Sequence, residues 1–144
     1  HARQVKRLWI ETHREAYRKI QRRYKDNRQK TDPTYKLNHR VGNLIRDAFR
    51  QASAKKFGKT ADILGCTGIE FRRYIESKFE PWMTWENYGK WSGQPNTGWD
   101  LDHIIPTSSA KTVDDVLRLN HYTNFQPLCS YKNRVDKRDR LDFW

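Results

Sequence analysis

Asp102, His103 and Asn133, in the C-terminal third of the chain, have side chains suited to holding a cation and activating a water. Asp102 and His103 are adjacent in WDLDHIIP (99–106), and Asn133 follows in NFQPLCSYKNRVDK (124–137). Successive side chains of a strand point to opposite faces. Asp102 and His103 at a strand end can therefore address different partners, one a cation and the other a water, if the strand bends there. Asn133 falls in the first turn of the helix expected next, where its amide oxygen completes a site with the Asp102 carboxylate. Both are hard oxygen donors, and such donors with water in the remaining positions suit Mg²⁺ or Mn²⁺ rather than zinc. His103, with an ordinary imidazole pKa of about 6.5, is the natural general base at neutral pH. Each residue alone has a plainer reading. An Asp-His pair arises by chance, a lone histidine is more often a hydrogen-bonded structural residue, and a lone asparagine is usually a turn or cap residue.

The elements that must position these side chains are legible from pattern. Residues 99–105 alternate, run apolar and stop at Pro106, which predicts a short strand. Residues 124–129 predict a second strand, and Ser130 is placed to cap a final helix over 131–141. Between the strands, Thr112-Val113-Asp114-Asp115 opens a short helix to about Leu119. Upstream, Thr67-Gly68-Ile69-Glu70 is a capping box whose helix runs to about Phe79, with Phe71, Tyr74, Ile75 and Phe79 facing inward. Residues 61–64 form a short apolar turn ended by Gly65. The stretch 87–98 reads as a loop, and Trp82, Trp85, Tyr88 and Trp91 pin it to the core. At the N-terminus, Val5, Leu8, Trp9, Thr12, Ala16, Ile20 and Tyr24 form one narrow stripe, predicting a single helix over 3–30. Asp32 and Pro33 then suit the N-cap and first position of a second helix. That helix covers 34–54, with Tyr35, Leu37, Val41, Leu44, Ile45, Ala48 and Phe49 as its apolar face.

In order, spacing and predicted elements, residues 99–142 resemble the HNH endonucleases. The first motif of that family stands here as Asp102-His103-Ile104-Ile105-Pro106, the middle one as Asn124 in NFQPLC, and the last as Asn133 in YKNRVDK. The resemblance implies a ββα-metal centre: two short strands and a helix gripping one divalent ion. It implies Asp102 and Asn133 as metal ligands and His103 as the base that activates water. It assigns Asn124 to holding the loop that carries His103, and Mg²⁺ (or Mn²⁺) as the cofactor. Residues 65–130 are also similar to small phage and homing-type HNH proteins. Many members carry two CxxC pairs around a structural zinc. Here Cys129 stands alone, with Lys132 in its partner's place, so no structural zinc is expected. The fold class that follows is α+β and mostly helical, with a C-terminal ββα-metal motif braced by helices and a long basic N-terminal helical arm.

Charge supplies the second functional signal. The net charge of +12 is not evenly spread: residues 1–60 hold 18 Lys/Arg against 5 Asp/Glu, and residues 61–144 hold 11 against 12. A one-sided basic field selects for a polyphosphate partner. Residues 1–60 are therefore expected to be a DNA-binding arm and 61–144 the nuclease domain, with double-stranded DNA as partner. Candidate phosphate contacts are Arg18, Arg22, Arg23, Lys25, Arg40, Arg46, Lys55, Lys56, Arg134 and Lys137. A solvated basic coil and a membrane-surface helix are the alternative readings of the same charge. No apolar run approaches a transmembrane length, and no signal-peptide pattern opens the chain, which starts at His1 in the manner of a trimmed or tagged product. Cys66 and Cys129 read as free thiols in a reducing compartment, so a cytoplasmic location is expected, in a phage or bacterial host cell.

The expectation is thus a metal-dependent DNA endonuclease of phage or homing type. A single centre cuts one strand per engagement, so double-strand cleavage needs a dimer or sequential nicks. The competing hypotheses are a non-catalytic DNA-binding protein on an HNH-like fold, and an RNA-directed binder or nuclease. His121 is expected to be structural.

Overall fold

A computed structural model describes residues 1–138, 140 and 142 of the chain. The fold is α+β and mostly helical, with one two-stranded antiparallel sheet. No helix among the described residues is long and apolar enough to cross a membrane. The chain divides into two units, His1–Lys36 and Leu37–Trp144. Charge alone places the boundary after residue 60. The division falls earlier because Leu37, Val41, Ile45, Ala48 and Phe49 are buried with the core of the C-terminal unit.

The N-terminal unit is built from α1 (Ala2–Thr12) and α2 (Arg14–Thr31), not the single expected helix. The break is at His13, whose φ/ψ of −121°/39° leaves the helical region. Thr12 explains the departure. Its Oγ1 donates back to Leu8 O at 2.9 Å, a back-bond that bends helices, and the His13 ring stacks on Trp9 with centroids 5.0 Å apart. No residue of α1 or α2 is buried. Asp32 caps the next helix, α3 (Pro33–Gln51), by accepting from Tyr35 N at 3.0 Å.

The core of the C-terminal unit forms where α3, α5 (Gly68–Glu76) and the sheet bring their apolar faces together. Before α5, the short helix α4 (Thr60–Leu64) ends on Gly65 in the left-handed region at φ 81°. The α5 capping box is complete, with Thr67 Oγ1 accepting from Glu70 N and Glu70 accepting from Thr67 N. Strands β1 (Trp99–His103) and β2 (Phe125–Cys129) pair with Asp102 opposite Gln126 and His103 opposite Phe125. Phe71 of α5 meets Phe125 edge-on at 5.5 Å, and Phe79, Trp85 and Tyr88 pack around Trp99. Each fully buried aromatic stabilises the fold by about 1.5–3 kcal/mol. Between the strands lies α6 (Val113–Leu119), opened by the Thr112–Asp115 capping box.

Two features depart from the expected C-terminal half. The final helix is a π-helix, Lys132–Lys137, in which Arg138 N donates to Asn133 O at 3.0 Å. Ser130 does not cap it: its Oγ is buried without a partner among the described residues. The expected extension to Leu141 falls in part on residues outside those described, as does Trp144.

Gly98 is the tightest backbone approach near the sheet. A Cβ there would stand 2.0 Å from the Lys90 carbonyl oxygen, and the Gly98 carbonyl accepts from Ser130 N. Gly98→Ala is expected to lower stability by about 2–3 kcal/mol, the cost of forced overpacking. Urea unfolding followed by tryptophan fluorescence measures it.

Candidate active site

Asp102, His103 and Asn133 line one cleft of about 230 Å³. The far wall comes from α3, through Arg40, Leu44, Asp47, Ala48 and Gln51. The end of β1 with Pro106 and Thr107 after it, the π-helix from Asn133 to its end at Lys137 and Arg138, and α3 thus line the cleft.

His103 is half-buried at the end of β1, its ring 4.3 Å from that of Phe125. Its Nε2 lies 2.9 Å from Asn120 Oδ1. Asn120 is fully buried, and its own Nδ2 donates to Val116 O at 2.8 Å. That second bond fixes the amide with its oxygen toward the imidazole. An amide oxygen only accepts, so Nε2 carries the proton and Nδ1 keeps the lone pair. Burial is the main cause that lowers the His103 pKa from 6.5 to about 4; the bond to Asn120 opposes this, and the charges of Lys137 and Arg40 add to it. The imidazole is neutral at physiological pH, the protonation state a base requires.

This shift has a consequence for stability. The unfolded chain takes up a proton at His103 near pH 6.5, and the folded chain only near about pH 4. Stability rises with pH wherever the unfolded state binds more protons. The contribution of neutral His103 is therefore full above about 6.5 and is lost as the pH falls towards 4. Denaturant unfolding of the metal-free protein at several pH values in this window should show that loss, and the loss should be smaller in His103→Gln.

Asn124 does not line the cleft. Its Nδ2 donates to Ile105 O at 3.0 Å and Leu119 O at 2.7 Å, its Oδ1 accepts from Ile105 N at 2.9 Å, and its backbone carbonyl accepts from Ile104 N. Three of these bonds clamp the two residues after His103 beside the start of β2, and the fourth ties Asn124 to Leu119, the last residue before Asn120.

Asp102 is buried and accepts at one oxygen from Gln126 Nε2 at 2.9 Å and from Lys137 Nζ at 2.6 Å. Burial raises its pKa above the ordinary carboxylate value, and the bonds from Lys137 and Gln126 work against that rise. The Asn133 side chain makes no hydrogen bond among the described residues. A buried carboxylate that already attracts a cation, and an amide on the same cleft, are the oxygen donors a hydrated divalent ion takes. The described residues hold no cluster of three or more His, Cys, Asp or Glu, so the rest of such an ion's shell would be water or phosphate oxygen. Mg²⁺ and Mn²⁺ fit this set.

The basic residues are placed unevenly. Lys137, expected to face phosphates, is instead buried at 1% exposure against Asp102. Its place at the end of the π-helix turns it inward, away from solvent. Arg134 makes a two-pronged pair with Asp100, at 2.8 and 2.9 Å, and lies over the Trp91 ring. Its head remains partly exposed. Arg40 is exposed at the cleft itself. Arg18, Arg22, Arg23 and Lys25 are exposed on α2, and Arg46 and Lys55 are exposed in the C-terminal unit. Lys56 is half-buried and donates to Gly58 O at 3.0 Å. His121 is tied to Thr123 by Nδ1 at 2.8 Å, and its Nε2 sits 2.6 Å from where a Gly65 Cβ would be. Cys66 and Cys129 are free thiols.

Asn120 is the site residue that sequence reasoning missed. Its one signal is position, as the residue that ends α6.

No protein-family model matches the chain, and no solved structure matches it. It is similar to two proteins of Acanthamoeba polyphaga mimivirus. One, described as uncharacterized protein L426, is 27% identical over 133 residues, covering 90% of this chain and 55% of that protein. The other, uncharacterized protein L246, is 28% identical over 131 residues, covering 86% and 54%. The chain spans about half the length of the curated relatives it matches.

Proposed function

We propose that the chain is a metal-dependent DNA endonuclease of the HNH type, hydrolysing phosphodiester bonds with His103 as general base. The observation that carries this is the convergence of Asp102, His103 and Asn133 on one cleft, with the imidazole oriented by Asn120. Water entering the cleft gives its proton to His103 Nδ1, its oxygen forms a bond to phosphorus, and the bond from phosphorus to the 3′ oxygen breaks. Asn120 keeps Nε2 protonated throughout, so Nδ1 remains the atom that accepts. Asn124 holds Ile104 and Ile105 and so limits how far His103 can move from the cleft. Asp102 and Asn133 would hold one Mg²⁺ or Mn²⁺, which supplies charge stabilisation to the phosphate and the departing oxygen. Arg40 adds positive potential at the cleft. The exposed cations of α2 suit sequence-independent contact with phosphates, a kind of binding that weakens steeply with salt.

The test is incubation with supercoiled plasmid and Mg²⁺ or Mn²⁺, beside an EDTA control. The expected result is open-circle or linear DNA only where free metal is present, and the product form distinguishes nicking from double-strand cleavage. Failure to cut either the plasmid or a random-site library, with salt-sensitive DNA binding intact, would leave a DNA-binding protein on this fold. Competition between duplex DNA and RNA separates the two nucleic acids.

A further inference from the structure

Lys137 lines the cleft but has no part in the proposed reaction, and its placement is unusual for a lysine. Lysine is rarely fully buried unless paired, and taking an ammonium out of water is costly without partners. Here the side chain runs inward from the end of the π-helix, and Nζ donates to Asp102 Oδ2 at 2.6 Å and to the backbone oxygen of His103. Gln126 completes the same carboxylate oxygen from across the sheet. A positive charge therefore already sits on the carboxylate that, on the function proposed above, belongs to a divalent ion.

We propose that Lys137 is a placeholder cation: it neutralises Asp102 in the metal-free chain, and a divalent ion binds at Asp102 by displacing it. This rests on the proposed metal site. Two positive groups compete for one buried carboxylate, and the metal must overcome the ion pair before it gains its own. Arg40 and Arg138 also line the cleft, adding repulsion. Metal affinity without DNA is accordingly weak, and phosphate supplies the negative charge that shifts the competition. A Lys137 freed from Asp102 keeps the His103 carbonyl as a partner and borders the cleft where that phosphate would lie.

Calorimetric titration of the full chain with Mn²⁺, in wild type, Lys137→Met and Asp102→Asn, tests this. Lys137→Met should bind Mn²⁺ about tenfold more tightly than wild type, which is about 1.4 kcal/mol, and Asp102→Asn should lose the binding. A merely structural lysine gives the opposite direction, since its loss loosens the site. Equal or weaker affinity in a folded Lys137→Met overturns the placeholder and leaves the metal site standing. Wild type and Asp102→Asn binding Mn²⁺ alike, or no binding in any variant, overturns both. If Lys137→Met does not fold, wild-type protein with isotope-labelled lysine provides the second reading. The side-chain ammonium signal of Lys137, assigned through Lys137→Arg, should move along a saturable Mg²⁺ curve. A signal unmoved at saturating Mg²⁺ overturns the proposal.

Discussion

His103→Ala should lower the rate of Mg²⁺-dependent plasmid cleavage by about 10²–10⁴-fold, the usual contribution of a positioned general base. DNA binding should be retained, because the exposed cations of α2 are untouched and phosphate contacts carry most of the affinity. Retained binding is the decisive control. His103 also packs on Phe125, so its removal opens a small cavity, and the variant must be shown to be folded before its rate is interpreted. Asn120→Ala gives a second view of the same atom. Without the buried amide oxygen nothing selects the tautomer, and the rate should fall while the metal ligands remain intact. A His103→Ala protein that nicks plasmid at the wild-type rate would remove His103 from the reaction.

Asp102→Ala should have two effects that separate in size and in assay. Cleavage should fall to the level of the EDTA control, because one of two proposed protein ligands is gone. Stability should also fall, by about 3–5 kcal/mol, because a lysine buried at 1% exposure loses the carboxylate that compensates it. For a domain of this size that corresponds to a melting temperature lower by roughly 10 °C. Asp102→Asn keeps the size and one acceptor oxygen for Lys137 and Gln126, and should recover part of the stability but none of the cleavage. If Asp102→Asn cleaves normally, the carboxylate holds the fold together and has no part in the reaction.

How much of this could be read beforehand depends on where the signal lies. The capping boxes at Thr67 and Thr112 are local patterns satisfied within four residues, and both form as the spacing predicts. The two strands were visible because apolar alternation and Pro106 bound them, and their pairing follows from there being one partner for each. The break at His13 was not visible. An unbroken apolar stripe predicts one helix, and the side chain of Thr12 bends it without disturbing that stripe. The π-helix was hidden for a related reason: the same residues satisfy a helical pattern with a bond to either the fourth or the fifth neighbour, and the choice is made by packing. That choice decides where Lys137 points. A basic residue on a short helix is read as a solvent-facing charge, and only the folded sheet puts Asp102 within its reach. Asn120 was missed because its value comes from two partners, Val116 and His103, of which only the first is local.

The bonds that assemble the cleft share a further property. Asn120 reaches His103 across 17 residues of sequence, Arg134 reaches Asp100 across 34, and Lys137 reaches Asp102 across 35. Closing segments of that length costs chain entropy before any of these contacts can repay it. The helices, by contrast, close within a few residues. The ordering that follows places the cleft among the last parts of the molecule to form: a partly folded chain can already display its cationic helix while the cleft does not yet exist.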